Sequence, residues 1–453
     1  MSVAESPRPR LFSLVWPLFV ELLLGMAVGL AGTLLAARIS DGAGAAFALA
    51  NHVQAALFIL FRVIGAGVGV VLTQSLGAGR RDIADELARA SLGASSWIGG
   101  LTALAALVAA TPLLRLLNAP PEVLPLAVPL LQALAPALLL DAWNATMASV
   151  MRAHLRARDT LAVLVAMQLV LLALALPLMP RLGLPGFALA VVASRVLGLA
   201  LHLWLWRQRL GLRPQPAHWW RLPRQQLAAI LHIGLPGAAE NIAYRLALMA
   251  SIAAAGVLGA KALATHAYAQ QLMHFILLFG LATGFGAEIV VGHLVGAGRL
   301  HEAHRLVRRA LARGLVVSVC VALAAALLAR PLLGLFSDDE QILATGATLL
   351  WLTVLLEPGR TFNLVVINAL RAAGDARYPV AVGAVSMAVV LAGGSWLLGV
   401  HFGLGLPGLW IAYAADEWIR GLLMWRRWAR HDWVPAARAT HRRLRAARGA
   451  PAA

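Results

Sequence analysis

Charge is scarce in this sequence and cysteine is nearly absent. Only 13% of the 453 residues are Asp, Glu, Lys or Arg. The one cysteine, Cys320, excludes an intrachain disulfide. Lysine occurs once, at Lys261, and acids are outnumbered 20 to 38 by basic residues. No glycine-rich phosphate loop is present, and the histidines, His52 and His293 among them, make no metal-ligand spacing with Cys or acids. Neither a metal nor a cofactor is expected. The only acidic cluster, "SDDEQ" at Ser337–Gln341, stands alone at a helix start. It reads as an N-terminal cap rather than the paired acids of an intramembrane Mg²⁺-pyrophosphate enzyme.

What fills the sequence is hydrocarbon. The chain is 60% hydrophobic, and apolar runs recur at about the 20-residue length that crosses a bilayer as a helix. An all-α polytopic membrane protein follows. Twelve transmembrane spans are expected near 11–37, 46–76, 91–115, 123–150, 161–180, 185–206, 227–258, 263–295, 311–335, 342–370, 379–400 and 405–425. The basic start and the run containing Glu21 read as the first span rather than a cleaved signal. The net charge of +18 lies in short clusters between spans, which points to topology rather than nucleic acid. Loops on the N-terminal side hold most arginines, and the opposite loops hold only Arg38, Arg115, Arg181, Lys261 and Arg330. Both termini are therefore expected in the cytoplasm. Residues 207–226, rich in Pro and Arg, read as a cytoplasmic linker. The basic tail 431–453 reads as a surface helix or as disordered, suited to anionic membrane lipids.

The sequence repeats itself. With a shift of 219 residues, Gly77-Ala78-Gly79-Arg80 falls on Gly296-Ala297-Gly298-Arg299. Pro17 falls on Pro236, Glu21 on Glu240, Asn144 on Asn363, and Arg152 on Arg371. After a three-residue slip, "GLPGFALAVVASR" from Gly183 meets "GLPGLWIAYAADE" from Gly405. Six helices are duplicated, giving an N-terminal lobe (1–206) and a C-terminal lobe (227–430). An even number gives both lobes the same orientation, related by a pseudo-two-fold axis along the membrane normal. The Gly-Ala-Gly elements are expected to end helices, where glycine adopts left-handed backbone.

On "WPLFVE", "TQSLGAGRRDIA", "LPGAAE", "GHLVGAGRLHEA", "NALRAAGDARYP" and "GLGLPGLWIAYAADEWIR", the chain resembles the multidrug and toxic compound extrusion (MATE) family. The resemblance covers nearly the whole chain from about 11 to 430. It implies a twelve-helix, two-lobed antiporter of the bacterial inner membrane. Such a protein expels small amphiphilic compounds, mostly cationic, in exchange for H⁺ or Na⁺, and acts here as a monomer. Three positions that carry coupling acids in many members differ: they are Gly32, Tyr244 and Arg360. The alternative is a flippase or exporter for an anionic or lipid-linked substrate.

An ionisable side chain at the bilayer centre costs about 2.5–3.5 kcal/mol on insertion scales, so each asks for a reason. Glu21 and Glu240 either take part in coupling or cap and pair locally. Asp141 and Arg360 are repeat equivalents, open to an interlobe ion pair or to separate partners such as Glu357 with Arg360 at i,i+3. Glu288 has no acidic equivalent in the first half, where Gly69 stands. Arg62 and Arg245 are expected to pair with Glu288, Glu240 or Glu21, and otherwise to favour anionic substrates. Asp416 and Arg420 form a helix-internal i,i+4 pair with no transport role assigned. Asn51 and Gln270, at equivalent positions, line the cleft or join helices, and His266 and His274 serve polar packing or a proton path.

Overall fold

Helix is the only regular structure among the described residues, which are 11–117 and 119–446 of this computed structural model, without the side chains of residues 59, 62 and 63. A chain with so little polar surface must satisfy its backbone internally, and the helix does that residue by residue. The first half runs α1 (Leu11–Ala37), α2 (Asp41–Gly77), α3 (Arg81–Val108), α4 (Leu124–Ala133 and Ala135–Ala153), α5 (Ala157–Leu182) and α6 (Leu184–Leu205). The second half runs α7 (Arg224–Val257), α8 (Ala260–Ile276 and Leu278–Gly296), α9 (Leu300–Leu327), α10 (Glu340–Ala372), α11 (Arg377–His401) and α12 (Gly405–Ala429). A further helix, α13 (Val434–Ala446), follows.

Among the described residues eight helices are long and apolar enough to cross a membrane by length and composition, and the two pieces of α4 together make a ninth. Neither α7 nor α12 is among them, and both carry ionisable groups inside the helix: Glu240 and Arg245, and Asp416, Glu417 and Arg420.

The twelve helices overlie the expected spans with local differences. The fourth span bends by 44° at Leu134, where Pro136 opens the second piece and cannot continue the hydrogen-bond ladder. The second begins at Asp41, five residues early. The linker is shorter than 207–226: helix continues in a widened turn through Leu210, stops at Gly211 in left-handed backbone (φ 72°), and resumes at Arg224. The tail is helical through Ala446.

Two compact units emerge from the packing. One holds residues 20–72 and 80–238, and the other holds 239–446 together with 11–19 and 73–79. The grouping departs from the expected lobe boundary at the start of α1, at the end of α2 and in α7, whose residues 224–238 fall with the first-half helices. Inside the second unit, the final turns of α2 lie against the final turns of α8. Space for a Cβ on Gly77 is taken by the His293 carbonyl, and space on Gly296 by the Gln74 carbonyl. Gln74 and His293 are themselves repeat equivalents, so the contact is reciprocal. Each helix then turns at a glycine of positive φ, Gly79 at 73° and Gly298 at 75°. The chain writes Gly-Ala-Gly twice because the two copies pack on one another.

The acidic cluster is a cap. Asp339 accepts hydrogen bonds from the Gln341 and Ile342 amides at 2.9 and 3.2 Å and lies 2.7 Å from Lys261 Nζ. The Lys261 ammonium, then the Ile342 amide, hold its carboxyl below the usual carboxylate range. A depressed carboxyl stabilises the fold above its unfolded pKa, and that contribution fades as pH falls through the folded value. Asp339→Ala is therefore expected to lower the melting temperature at neutral pH. The deficit should shrink towards zero in acid; a deficit independent of pH would mean that the charge plays no part.

Candidate functional site

Glu21 and Glu240 each follow a helix-internal proline by four residues, and each meets an arginine. Pro17 and Pro236 lack the amide that would bond the preceding turn, which loosens the helix beside the acid. Glu21 accepts from Arg152 Nη1 on α4 at 3.1 Å and from the Thr160 hydroxyl on α5. Glu240 pairs with Arg371 on α10. Arg152 and Arg371 are repeat equivalents, so the sequence duplication becomes a duplicated ion pair, one inside each unit. The first-half pair is part-buried, with side chains 27% and 12% exposed; the second is comparable at 17% and 14%.

Each unit holds a second duplicated pair, with its charges exchanged. On α4 and α6, Asp141 Oδ1 lies 2.7 Å from Arg195 Nε, near enough to pair although the N–H is not aligned for a hydrogen bond. On α10 and α12, Arg360 Nε donates to Glu417 Oε1 at 3.3 Å. Under the repeat, Asp141 corresponds to Arg360, and Arg195 corresponds to Glu417 after the three-residue slip. Asparagine brackets both pairs: Asn144 Nδ2 donates to the Arg195 carbonyl at 3.0 Å, and Asn363 Nδ2 to Glu417 Oε2 at 2.9 Å. Asp141 and Arg360 thus each find a partner in their own unit, which replaces the interlobe pair considered above. Inverting both charges preserves the attraction, so either polarity satisfies the packing.

The second unit elaborates the pair. Glu357 accepts from Arg360 Nη1 at 2.8 Å. Arg420 Nη2 lies 2.6 Å from Asp416 Oδ2 and 3.0 Å from Glu417 Oε1, and Ser386 on α11 donates to Asp416 Oδ1 at 2.6 Å. All five ionisable groups are buried, Asp416 completely, Glu357 at 1% exposure and Arg360 at 6%. In the first half the matching positions of the three added groups are Leu138, Ser194 and Gly198, none of them charged. Neighbouring this network is a buried polar chain: His266 Nε2 contacts the Tyr413 hydroxyl at 3.0 Å, which contacts the Ser251 hydroxyl. His274 on α8 and Tyr244 on α7 lie within electrostatic range of Arg360.

The other candidates lie outside the ion-pair network itself. Glu288 is half-buried on α8, and Asn51 on α2 is likewise half-buried. Gln270 on α8 lies beside the Tyr413 hydroxyl of the polar chain. Arg245 is exposed on α7 beside the exposed Ile242, Leu246 and Met249, and no ion pair reaches it among the described residues. The expected pairing fails there because Glu240 is taken by Arg371 and Glu21 by Arg152. The side chain of Arg62 lies outside the described residues. Gly32, at the family's acid position, lies beside Phe47 and Phe187; a Cβ there would meet the Phe47 ring at 2.7 Å, so any larger side chain requires that ring to move. The sequence reading missed Arg195, Glu417 and Ser386 as members of the network, although the slipped repeat had already aligned Arg195 with Glu417.

Comparison with known proteins bears on what these pairs serve. The MatE family pattern matches residues 17–177 and 236–397, one match in each half. The uncharacterized transporter YisQ of Bacillus subtilis is 33% identical over 94% of both chains. The probable multidrug resistance protein NorM of Thermotoga maritima is 24% identical over 97% of this chain and 96% of its own. Among solved structures, the Vibrio cholerae MATE transporter VcmN in the bent form superposes with a TM-score of 0.86 at 22% identity, covering 95% of this chain and 97% of that one. A transporter of the MOP superfamily from Pyrococcus furiosus, described by a binding pocket of reverse polarity, gives 0.86 at 19% identity over 94% and 96%.

Proposed function

The chain belongs to the MATE family of multi-pass inner-membrane efflux transporters, and from that premise we propose that it is a secondary antiporter exporting small amphiphilic, cationic compounds in exchange for H⁺ or Na⁺ by alternating access. The observation that carries this reading is the duplicated acid, Glu21 in one half and Glu240 in the other, each beside a helix proline and each held by an arginine. A carboxylate paired in this way exchanges its arginine for a proton, an ion or a cationic substrate at little net cost, because one favourable contact replaces another. The two six-helix repeats are the moving halves, and the arginine bias of the loops places both termini in the cytoplasm. The protein works as a monomer, with the basic face of α13 turned to anionic headgroups.

The test uses inside-out vesicles energised to an acidic lumen, with a fluorescent probe of the pH gradient. Cationic amphiphiles are expected to discharge the gradient, and Glu240→Gln to slow that discharge at least about tenfold, which corresponds to about 1.4 kcal/mol in the barrier. Full export by a Glu21→Gln, Glu240→Gln double variant would sink the reading.

Arg245 favours a second reading, an anionic or lipid-linked substrate. It is a guanidinium on an apolar, exposed helix face with no carboxylate partner among the described residues, and an anionic amphiphile supplies both a counter-charge and hydrocarbon for that face. Anionic rather than cationic compounds would then discharge the gradient, and Arg245→Gln would abolish the response.

A further inference from the structure

The buried network of the second unit does not balance its charge. Three carboxyl groups, Glu357, Asp416 and Glu417, face two guanidinium groups, Arg360 and Arg420. If every acid were ionised, one negative charge would remain unmatched in a site with almost no access to water. An unmatched charge in low dielectric is strongly unfavourable, and a carboxylate escapes the penalty by taking up a proton.

The hydrogen bonds identify which carboxyl takes it. Asp416 receives the Arg420 Nε and Nη2 groups and the Ser386 hydroxyl. Glu417 is met by Arg360 Nε, Arg420 Nη2 and Asn363 Nδ2. Glu357 has one donor, Arg360 Nη1, and Arg360 is shared with Glu417. Glu357 is also the acid with no polar counterpart in the first half, where Leu138 stands. Groups on the neighbouring helices do not restore the balance: Glu240 on α7 is matched by Arg371, Tyr244 on α7 is a neutral phenol within range of Arg360, Arg420, Glu417 and Asp416, and His274 on α8 faces Arg360.

We propose that Glu357 is a proton-binding site of this transporter, holding one proton within the Arg360–Glu417–Arg420–Asp416 network and releasing it when that network opens. No covalent step is involved; the proton enters as the counter-charge the two arginines do not supply, and leaves when water reaches the cluster. As a coupling site it rests on the exporter reading. As a protonation site it rests on the charge count and the donor count.

Infrared difference spectroscopy on the full-length protein in lipid, between acidic and alkaline buffer, reads the proton directly. The wild type is expected to show the C=O stretch of a buried protonated carboxyl at neutral pH. Glu357→Gln should lose that band, Glu357→Asp should shift it, and Glu340→Gln, at an exposed acid of the same helix, should keep it. A wild type without the band, a band unchanged in Glu357→Gln, or a band lost in Glu417→Gln but not in Glu357→Gln, would overturn the assignment. Should Glu357→Gln not fold, the shift in Glu357→Asp decides alone. In proteoliposomes, Glu357→Gln is expected to lose at least about tenfold of the acceleration of export by a pH gradient. If the wild type moves no amphiphile under any gradient, the exporter reading fails, and the infrared band still settles the proton site.

Discussion

Replacing Arg360 with leucine is expected to cost about 3–5 kcal/mol, because it leaves Glu357 and Glu417 buried together without their shared guanidinium. Denaturant or thermal unfolding in detergent measures it. The magnitude follows from where the groups sit: an exposed ion pair contributes about 0–1 kcal/mol, whereas a stranded buried carboxylate loses both its counter-charge and its solvation. The duplicated pair supplies the control. In the first half the same positions carry Asp141 and Arg195, acid on the fourth helix and base on the sixth. Exchanging the second-half charges, Arg360→Asp with Glu417→Arg, copies that polarity and leaves the net charge of the pair unchanged. The exchange is made on a Glu357→Leu background, which matches Leu138 of the first half and removes the carboxyl that would otherwise face the new acid. Most of the stability lost when either charge is reversed alone on that background should return when both are reversed. A combined variant no more stable than the sum of the two reversals would mean that the two positions do not interact.

Alanine at Gly77 or Gly296 is expected to destabilise by about 3 kcal/mol, towards the upper end of what overpacking costs. The obstacle at each is a backbone carbonyl, His293 for Gly77 and Gln74 for Gly296, and a carbonyl cannot rotate aside as a side chain can. Close backbone approach at small residues is a main route by which helices associate in lipid, where burying hydrocarbon gains nothing. Because the contact is reciprocal, the two variants should lose similar amounts, and the double less than the sum, since the first substitution already separates the helices. Gly100→Ala is the comparison. Nothing lies within 4 Å of a Cβ there, so the helix-propensity gain of about 0.8–1.0 kcal/mol is unopposed. Equal effects at all three glycines would point to backbone entropy rather than to packing.

Much of the architecture is written along the chain. Apolar run lengths gave most helices to within a few residues, because solvent contrast along a span needs no knowledge of the neighbours. The helices α3 and α9 begin at Arg81 and Leu300, well before the apolar runs expected from 91 and 311, because their first turns are polar. The repeat was legible as identities at a fixed offset, from Pro17 and Pro236 to the paired Gly-Ala-Gly turns. It also carried more than was read from it: the alignment of Arg195 with Glu417 contained the exchanged ion pair. Recognising that pair requires knowing that the fourth and sixth helices of a half turn those residues towards each other, and rotation about a helix axis is set by packing.

The sequence by itself determined that this is a duplicated, helical membrane protein with acids repeated in both halves. Tertiary structure decided which partner each charge takes. Glu21 and Glu240 could have met any of several arginines, and Asp141 could have met Arg360; the packing of helices within each unit brought Arg152, Arg371 and Arg195 within reach instead. It also decided that the end of α2 lies against its own repeat copy. Composition and spacing record how each helix meets lipid or water, but a contact of hydrogen-bond length between two side chains depends on how separate helices settle together.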